Sequence, residues 1–191
     1  NPLLRTFDAP LLKWDRPTRQ PYLECFCCPT NIARTLSKIH GWAYSLSPKG
    51  VWINLYGSSN LNTKLPDGTK IHLKQETEYP WEGNVKITVL DPTAAEFALK
   101  PRIPAWASNA KIRVNGKQQD VETHAGTYAE IRRKWAKGDT VELRIPMPPR
   151  MVCSNPRVEA NQNCAALQRG PLVYCLESKD VPEDVNISDI G

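Results

Sequence analysis

The segment Ile112-Arg113-Val114-Asn115-Gly116 carries the clearest folding signal in this 191-residue sequence. Two β-branched apolar residues flank one polar residue, as in a strand with one buried face, and an Asn-Gly pair follows at once. A tight type I′ hairpin turn needs positive φ at both central positions, which these two residues tolerate best. The segment therefore predicts an antiparallel strand that ends in a hairpin.

Similar short runs recur on both sides of this hairpin. They cover residues 51–56, 71–75, 85–90, 97–99, 128–131, 141–145 and 172–176. Turn signals separate them, at Pro66-Asp67-Gly68, Glu82-Gly83-Asn84, Asp91-Pro92 and Lys137-Gly138-Asp139. Regularly spaced short strands without intervening helices predict an antiparallel β-sandwich.

The segment after Pro29 has helical periodicity instead. Apolar residues recur there at spacings of four, three and four, at Ile32, Leu36, Ile39 and Ala43. Pro29 suits the first turn of a helix, since its missing N–H would have no partner there. We expect the helix to fade between Gly41 and Ser47, before Pro48. The predicted fold is thus one helix followed by a sandwich.

The composition excludes several classes of protein. Apolar residues make up 40% of the chain and charged residues 24%, which excludes a disordered tail. No stretch approaches the roughly 18 uninterrupted apolar residues of a membrane-spanning helix, so we expect no membrane partner. Lys and Arg number 25 against 20 Asp and Glu, and carboxylates flank the basic cluster 132–137, so we expect no nucleic-acid partner.

Three thiols lie within four positions in Cys25-Phe26-Cys27-Cys28-Pro29, directly before the predicted helix. The partial positive charge of a helix N-terminus favours the thiolate, which attacks electrophiles and binds metals. Adjacent cysteines form a strained disulfide, but they can direct two sulfurs at a soft cation such as Zn²⁺. A tetrahedral site needs further ligands, and His40, His72 and His124 are isolated from one another in the sequence. For Cys27 and Cys28 the residues alone favour function and packing about equally.

The other candidate residues have simpler interpretations. Cys153, Cys164 and Cys175 are expected to be buried small side chains or parts of structural disulfides. Glu24 and Arg34 are interpreted as surface charges. The tryptophans expected to anchor the core are Trp42, Trp52, Trp106 and Trp135. Glu76 and Glu78 near Trp81 could bind sugar, but such groupings are also common at the edge of any sandwich.

The stretch 25–34 resembles the cysteine motif of the family 127 glycoside hydrolases, the β-L-arabinofuranosidase family. Other stretches resemble further landmarks of this family in the expected order, at 1–3, 51–57, 75–81, 102–106 and 169–174. The match is specific because a vicinal cysteine pair before Pro-x-Asn is uncommon. One difference is Thr30, where many relatives have a second Pro.

The resemblance implies an (α/α)₆ catalytic barrel followed by β-sandwich domains. On this basis the fold is mainly β, an antiparallel sandwich preceded by the last helix of a barrel that is otherwise missing. Residues 1–46 would be the end of the barrel, 47–148 a β-sandwich domain, and 149–191 the start of a further β-rich domain. The start without Met agrees with a fragment.

The resemblance also implies a chemistry. Cys27 would be the nucleophile and a zinc ligand, and Cys28 a second zinc ligand. A Glu and another Cys that complete the Zn²⁺ site, and the acid/base Glu, are expected upstream. The implied partners are an L-arabinofuranoside-type carbohydrate and the missing N-terminal barrel, so the fragment alone is expected to be inactive.

Two other classes of function remain open. The chain could be a non-catalytic β-sandwich buttress or a carbohydrate-binding module, with metal-free cysteines. Alternatively, Cys25, Cys27 and Cys28 could form a zinc or thiol redox element, which needs solvent access and a resolving thiol. The compartment, cytoplasmic or periplasmic, is not determined by the sequence.

Overall fold

A computed structural model describes residues 27–91, 96–159, 164–175, 180–182 and 184–185. Two compact units are present, one formed by 1–37 with 175–191 and the other by 38–174. The cysteine-bearing helix belongs largely to the first unit, and the β-sheets belong to the second. Cys25 and Glu24 lie outside the described residues.

The predicted helix is present as α1, Cys27–Lys38, and a short 3₁₀ turn at Ile39–Gly41 ends it. The fading after Gly41 is confirmed. The helix begins earlier than predicted, two residues before Pro29. Cys27 and Cys28 therefore form part of the first turn and do not precede it. Pro29 still lies in this first turn, where no backbone N–H is needed.

A four-stranded sheet contains β1 (Tyr44–Ser47), β2 (Gly50–Ile53), β6 (Glu96–Pro101) and β9 (Ile131–Lys134) in the order β1-β2-β6-β9. The β1–β2 and β6–β9 pairs are antiparallel. The β2–β6 pair is parallel, with Val51 opposite Leu99. This pair departs from the purely antiparallel expectation. The long connection between the two strands makes a parallel arrangement possible.

The larger sheet has six strands, all paired antiparallel, in the order β3-β4-β5-β10-β7-β8. Its strands are β3 (Ser59–Lys64), β4 (Lys70–Thr77), β5 (Asn84–Val89), β7 (Lys111–Val114), β8 (Lys117–Gln118) and β10 (Thr140–Arg144). The predicted hairpin joins β7 to β8, and both Asn115 and Gly116 have positive φ, 50° and 75°. Alternating burial along β4, β5 and β7 leaves one face of the sheet apolar and the other polar.

The apolar faces of these two sheets share one core. Phe97 and Leu99 of the smaller sheet belong to the same buried cluster as Leu73, Ile87 and Leu143 of the larger sheet. Face-to-face burial of this kind defines a sandwich. The prediction of a mainly β fold with a sandwich is therefore confirmed.

A third sheet, β11-β12-β13, follows the sandwich and is antiparallel. Its strands are β11 (Pro149–Cys153), β12 (Ala165–Arg169) and β13 (Leu172–Tyr174). Gly170, with φ 57°, lies in the turn between the last two strands. A Pro-rich segment separates β10, which ends at Arg144, from β11, which begins at Pro149, since a proline is tolerated at the first position of an edge strand.

Several burial predictions are wrong. Cys153, Cys164 and Cys175 are exposed, because they lie in or beside the third sheet, whose strands carry little buried surface. Trp42 is 53% exposed in the segment after α1, whereas Trp135 is buried against Phe97 and anchors the core as predicted. Trp106 packs against the core while partly exposed. Within the described part of the chain, α1 and the 3₁₀ turn are too short to cross a lipid bilayer.

Candidate functional site

The candidate site consists of two adjacent thiols in the first turn of α1. Cys27 and Cys28 are both exposed, and their Sγ atoms lie 3.8 Å apart. A disulfide requires about 2.05 Å between sulfurs, so these two are not covalently joined. Both side chains point toward one region of space, as two donors on a common ligand require.

The separation of the sulfurs suits a zinc ion. Two thiolates bound to one tetrahedral Zn²⁺ at about 2.3 Å lie about 3.8 Å apart. The donor set is incomplete, however. Among the described residues, no three His, Cys, Asp or Glu side chains come together as a metal-binding group. The pair thus has two soft donor atoms at a spacing compatible with one tetrahedral ion.

The first turn of α1 is held by local hydrogen bonds that leave the thiols accessible. Thr30 Oγ1 donates to the Cys27 carbonyl oxygen at 3.0 Å. Arg34 Nη1 donates to Asn31 Oδ1 at 2.8 Å. The first turn contains no acidic residue. No carboxylate of this turn therefore opposes an anionic group at the N-terminal end of α1.

The described histidines and carboxylates of the sandwich form local pairs rather than a catalytic group. His72 Nδ1 lies 3.1 Å from Asp91 Oδ2, and His124 Nε2 lies 3.7 Å from Glu122 Oε2, in separate parts of the sandwich. Glu76 pairs with Lys74 at 2.7 Å, and the Lys74 ammonium holds the pKa of Glu76 below its usual range. Because Glu76 is exposed and ionised in this way, it is poorly suited to act as a general acid.

A network that the sequence did not indicate surrounds Asn54, just after β2. Its Nδ2 donates to the Trp42 carbonyl oxygen at 3.1 Å and to Ser45 Oγ at 2.8 Å, while its Oδ1 accepts from Tyr128 at 2.9 Å. Arg102 Nε donates to the Asn54 carbonyl oxygen at 2.6 Å. The network fixes the segment that follows α1 to the edge of the four-stranded sheet. Tyr128 and Asn54 are 74 residues apart in the sequence, so no local pattern could have revealed the network.

The ring of Trp52 extends this polar edge. Tyr128 packs against it edge to face at 4.8 Å, and Lys100 Nζ lies 4.5 Å above it. Lys100 also pairs with Glu130 at 2.8 Å and, together with Arg132, lowers the pKa of that carboxyl. Every charged group here has a close partner, which favours a structural role for the cluster.

Comparison with known families gives these features a context. The family model described as the β-L-arabinofuranosidase GH127 middle domain matches residues 50–147. The chain belongs to glycoside hydrolase family 127. The model of the family 127 C-terminal domain matches residues 149–190, which include the third sheet. The resemblance inferred from the cysteine motif and the later landmarks is therefore confirmed.

The relatives of this family 127 chain are considerably longer. A non-reducing end β-L-arabinofuranosidase of Bifidobacterium longum is 31% identical over 176 residues, 87% of this chain and 26% of the relative. A solved glycoside hydrolase matches with a TM-score of 0.81 and 42% identity over 93% of this chain and 31% of its own. A GH127 β-L-arabinofuranosidase from Geobacillus stearothermophilus T6 matches with a TM-score of 0.77 and 40% identity, over 86% of this chain and 26% of its own. The chain thus spans about a quarter to a third of these relatives.

Proposed function

We propose that the chain is part of a retaining glycoside hydrolase of the β-L-arabinofuranosidase type. Cys27 is the nucleophile, and Cys27 with Cys28 provides two ligands of a zinc ion. The observation that carries the proposal is the exposed vicinal pair, with sulfurs 3.8 Å apart in the first turn of α1, in a family 127 chain. The sugar proposed is an L-arabinofuranoside.

The proposed chemistry is a double displacement at the anomeric carbon. The Cys27 thiolate attacks this carbon while the bond to the leaving oxygen breaks, and an acid supplied from outside this chain protonates that oxygen. Water then attacks the same carbon, the carbon–sulfur bond breaks, and Cys27 regains its thiolate while the water proton passes to the conjugate base of the acid. Two inversions give net retention.

The immediate surroundings of Cys27 suit this role. The sulfur is exposed, so a sugar can reach it, and the N-terminal end of α1 stabilises its negative charge. When bound, zinc would keep the thiol deprotonated at neutral pH. Cys28, the next residue in the chain, would provide a second thiolate ligand for the same ion. The hydrogen bond from Thr30 to the Cys27 carbonyl oxygen steadies the turn that carries both sulfurs.

The remainder of the site is proposed to come from a helical barrel. Ile32 and Leu36 of α1 are 59% and 63% exposed in the described structure, an unusual exposure for large apolar side chains. A barrel packed on this face would bury them and could carry the acid and the missing zinc ligands. On this proposal residues 27–191 without the barrel bind no substrate productively and are inactive.

The decisive experiment compares cysteine variants of the full-length enzyme on an aryl β-L-arabinofuranoside. Cys27→Ser should lower kcat at least about a thousandfold, because an alcohol is a far weaker nucleophile than a thiolate. Mass spectrometry of quenched wild-type reactions should find one pentose on the peptide containing Cys27. The matched control is Cys153→Ser, which removes an exposed thiol of the third sheet and should retain full activity.

Turnover by Cys27→Ser within about tenfold of the wild-type rate would exclude the nucleophile assignment. An inverted anomeric product, followed by NMR during the first minutes of reaction, would exclude the retaining mechanism.

A further inference from the structure

The polar face of the six-stranded sheet carries an open groove of about 500 Å³. The groove crosses strands β4, β5, β10, β7 and β8, and its floor is formed by the backbone of the central strands. The charged side chains that line it are Glu76, Lys86, Lys111, Arg113, Glu142 and Arg144. Its size falls within the range of small-ligand sites, but its lining is polar rather than apolar.

The register of the sheet places these charges in two rows. In the first row, Glu142 of β10 lies between Lys86 of β5 and Arg113 of β7. In the second row, Arg144 lies between Asn84 and Lys111. Neighbouring strands are about 4.8 Å apart, so Lys86 and Arg113 flank the half-buried Glu142, and the second row lies two residues along the strands, within a patch about 10 Å across.

The four cations of this groove outnumber its two carboxylates, Glu76 and Glu142. Among the described residues, none forms an ion pair within 4.0 Å with Lys86, Lys111, Arg113 or Arg144. The lining carries an ion-paired carboxylate at Glu76, which Lys74 holds at 2.7 Å. Elsewhere on the sandwich the cations Lys100 and Arg132 share Glu130. The lining thus has an excess of positive charge, which attracts an anion.

We propose that this groove binds an acidic oligosaccharide, a run of sugar units that carry carboxylates. Arg113 and Arg144 would each bind a carboxylate, with Lys86 and Lys111 as additional point charges. Glu142 would accept hydrogen bonds from sugar hydroxyls between the two carboxylates. The choice of a saccharide rests on the proposed function.

The lining favours this occupant over other polyanions. Single-stranded nucleic acids bind through stacking on aromatic side chains, and no aromatic residue lines the groove. The Glu142 carboxylate at the centre would repel a closely spaced phosphate backbone, but it is a good acceptor for the hydroxyls between uronate groups. A neutral glycan would leave the cations without counterions and would lack an aromatic platform for its ring faces.

The test is isothermal titration of the full-length protein with trigalacturonic acid, with maltotriose as the neutral counterpart. We expect binding of the acid and none of maltotriose at the same concentration. The double variant Arg113→Ala/Arg144→Ala should weaken binding about tenfold. Lys64→Ala/Lys70→Ala is the matched control, because these two exposed lysines lie opposite each other on β3 and β4 outside the groove lining and remove the same charge.

Three outcomes would overturn the proposal. They are equal loss of affinity in both double variants, equal binding of maltotriose, and tighter binding of a thymidine oligonucleotide than of trigalacturonic acid. The Cys27→Ser variant separates this proposal from the catalytic one, because it should bind trigalacturonic acid with unchanged affinity. If the wild-type protein does not bind trigalacturonic acid, only the groove proposal is contradicted. If the Cys27→Ser enzyme is active, only the assignment of Cys27 as the nucleophile is contradicted.

Discussion

The Nδ2 atom of Asn115 donates a hydrogen bond of 2.8 Å to Oδ1 of Asp139. Asn115 Oδ1 also accepts from the Thr140 N–H at 2.8 Å, and Asp139 Oδ2 accepts from the Ala136 N–H at 2.9 Å. These bonds join the β7–β8 hairpin turn to the turn that precedes β10. Two turns that are distant in sequence are therefore held together by one carboxylate and one amide.

This arrangement predicts a pH-dependent contribution to stability. The Ala136 N–H and the Asn115 amide hold the pKa of Asp139 below its usual value of about 3.9. A lowered folded-state pKa means that the contribution is complete above the unfolded-state pKa and is lost as pH falls through the folded one. Asp139→Ala should lower the free energy of unfolding by about 1–2 kcal/mol at pH 7.

Urea unfolding of the wild type and Asp139→Ala at pH 7, 4 and 2.5 checks this prediction. The difference between them should shrink as the pH falls, because the contribution is lost as the carboxyl becomes protonated in the folded state. Asp120→Ala is the control, because Asp120 is exposed and no described residue is hydrogen-bonded to its side chain. A difference that is constant across this pH range would refute the role of the ionised carboxylate.

Gly83, which precedes β5, predicts a strong steric effect. A Cβ atom added there would lie 1.9 Å from the carbonyl oxygen of Ile145, whose N–H bonds to the Gly83 carbonyl oxygen at 2.7 Å. This oxygen belongs to the backbone, so it cannot move away by a change of rotamer, as the end of a flexible side chain can. Gly83→Ala should lower the free energy of unfolding by about 3 kcal/mol or more.

The control for this substitution is Gly57→Ala. A Cβ atom at Gly57 meets nothing within 4 Å, so the change should be within about 0.5 kcal/mol. Thermal unfolding of both variants measures the difference. Equal melting temperatures for the two would mean that the backbone around Ile145 adjusts more easily than the close contact indicates.

The Asn54 network predicts a further loss of stability on substitution. Asn54→Ala removes the side-chain bonds to the Trp42 carbonyl oxygen, to Ser45 and to Tyr128, and of these partners only the Tyr128 hydroxyl is part-buried. We expect a loss of about 1–3 kcal/mol in the free energy of unfolding. Asn60→Ala is the matched control on exposed β3, where the amide makes no described side-chain hydrogen bond. A loss no larger than that of the control would contradict the anchoring role.

The strands that could be predicted from the sequence are those with large apolar residues on the buried face. Val85, Ile87 and Val89 of β5 give a clear period of two, and β5 lies in the interior of its sheet. Strand β3, with the sequence Ser-Asn-Leu-Asn-Thr-Lys, lies at an edge and is at most half-buried, so it lacks that signal. Strand pairing, including the parallel contact of β2 with β6, depends on distant residues and could not be predicted locally.

The cysteine pair and the groove also differ in how far the sequence predicts them. Cys27 and Cys28 could be singled out because they are adjacent in the chain, and the helix that carries them has a local pattern. The cations of the groove lie on separate strands, and only the register brings Lys86, Glu142 and Arg113 side by side. Chemistry that arises from pairing between strands is visible only in the fold.

The cysteine pair of α1 gives a last prediction, about metal content. The full-length protein should bind about one zinc ion per chain. The two sulfurs lie 3.8 Å apart, which suits one tetrahedral ion with four ligands. A chelator should release the zinc and increase the number of thiols that react rapidly with a disulfide reagent. Cys28→Ser should lower the zinc content, and Cys175→Ser, an exposed cysteine near the third sheet, should leave it unchanged.

The alternative results of that titration identify the competing functions. If all thiols react at once and no zinc is found, the pair is metal-free, as expected of a non-catalytic module. If mild oxidation reversibly removes two thiols that belong to Cys27 and Cys28, the pair acts as a redox element, despite the strain of a disulfide between neighbours. Zinc release coupled to newly reactive thiols agrees only with a metal-bound pair, because a bound thiolate reacts slowly until the ion is removed.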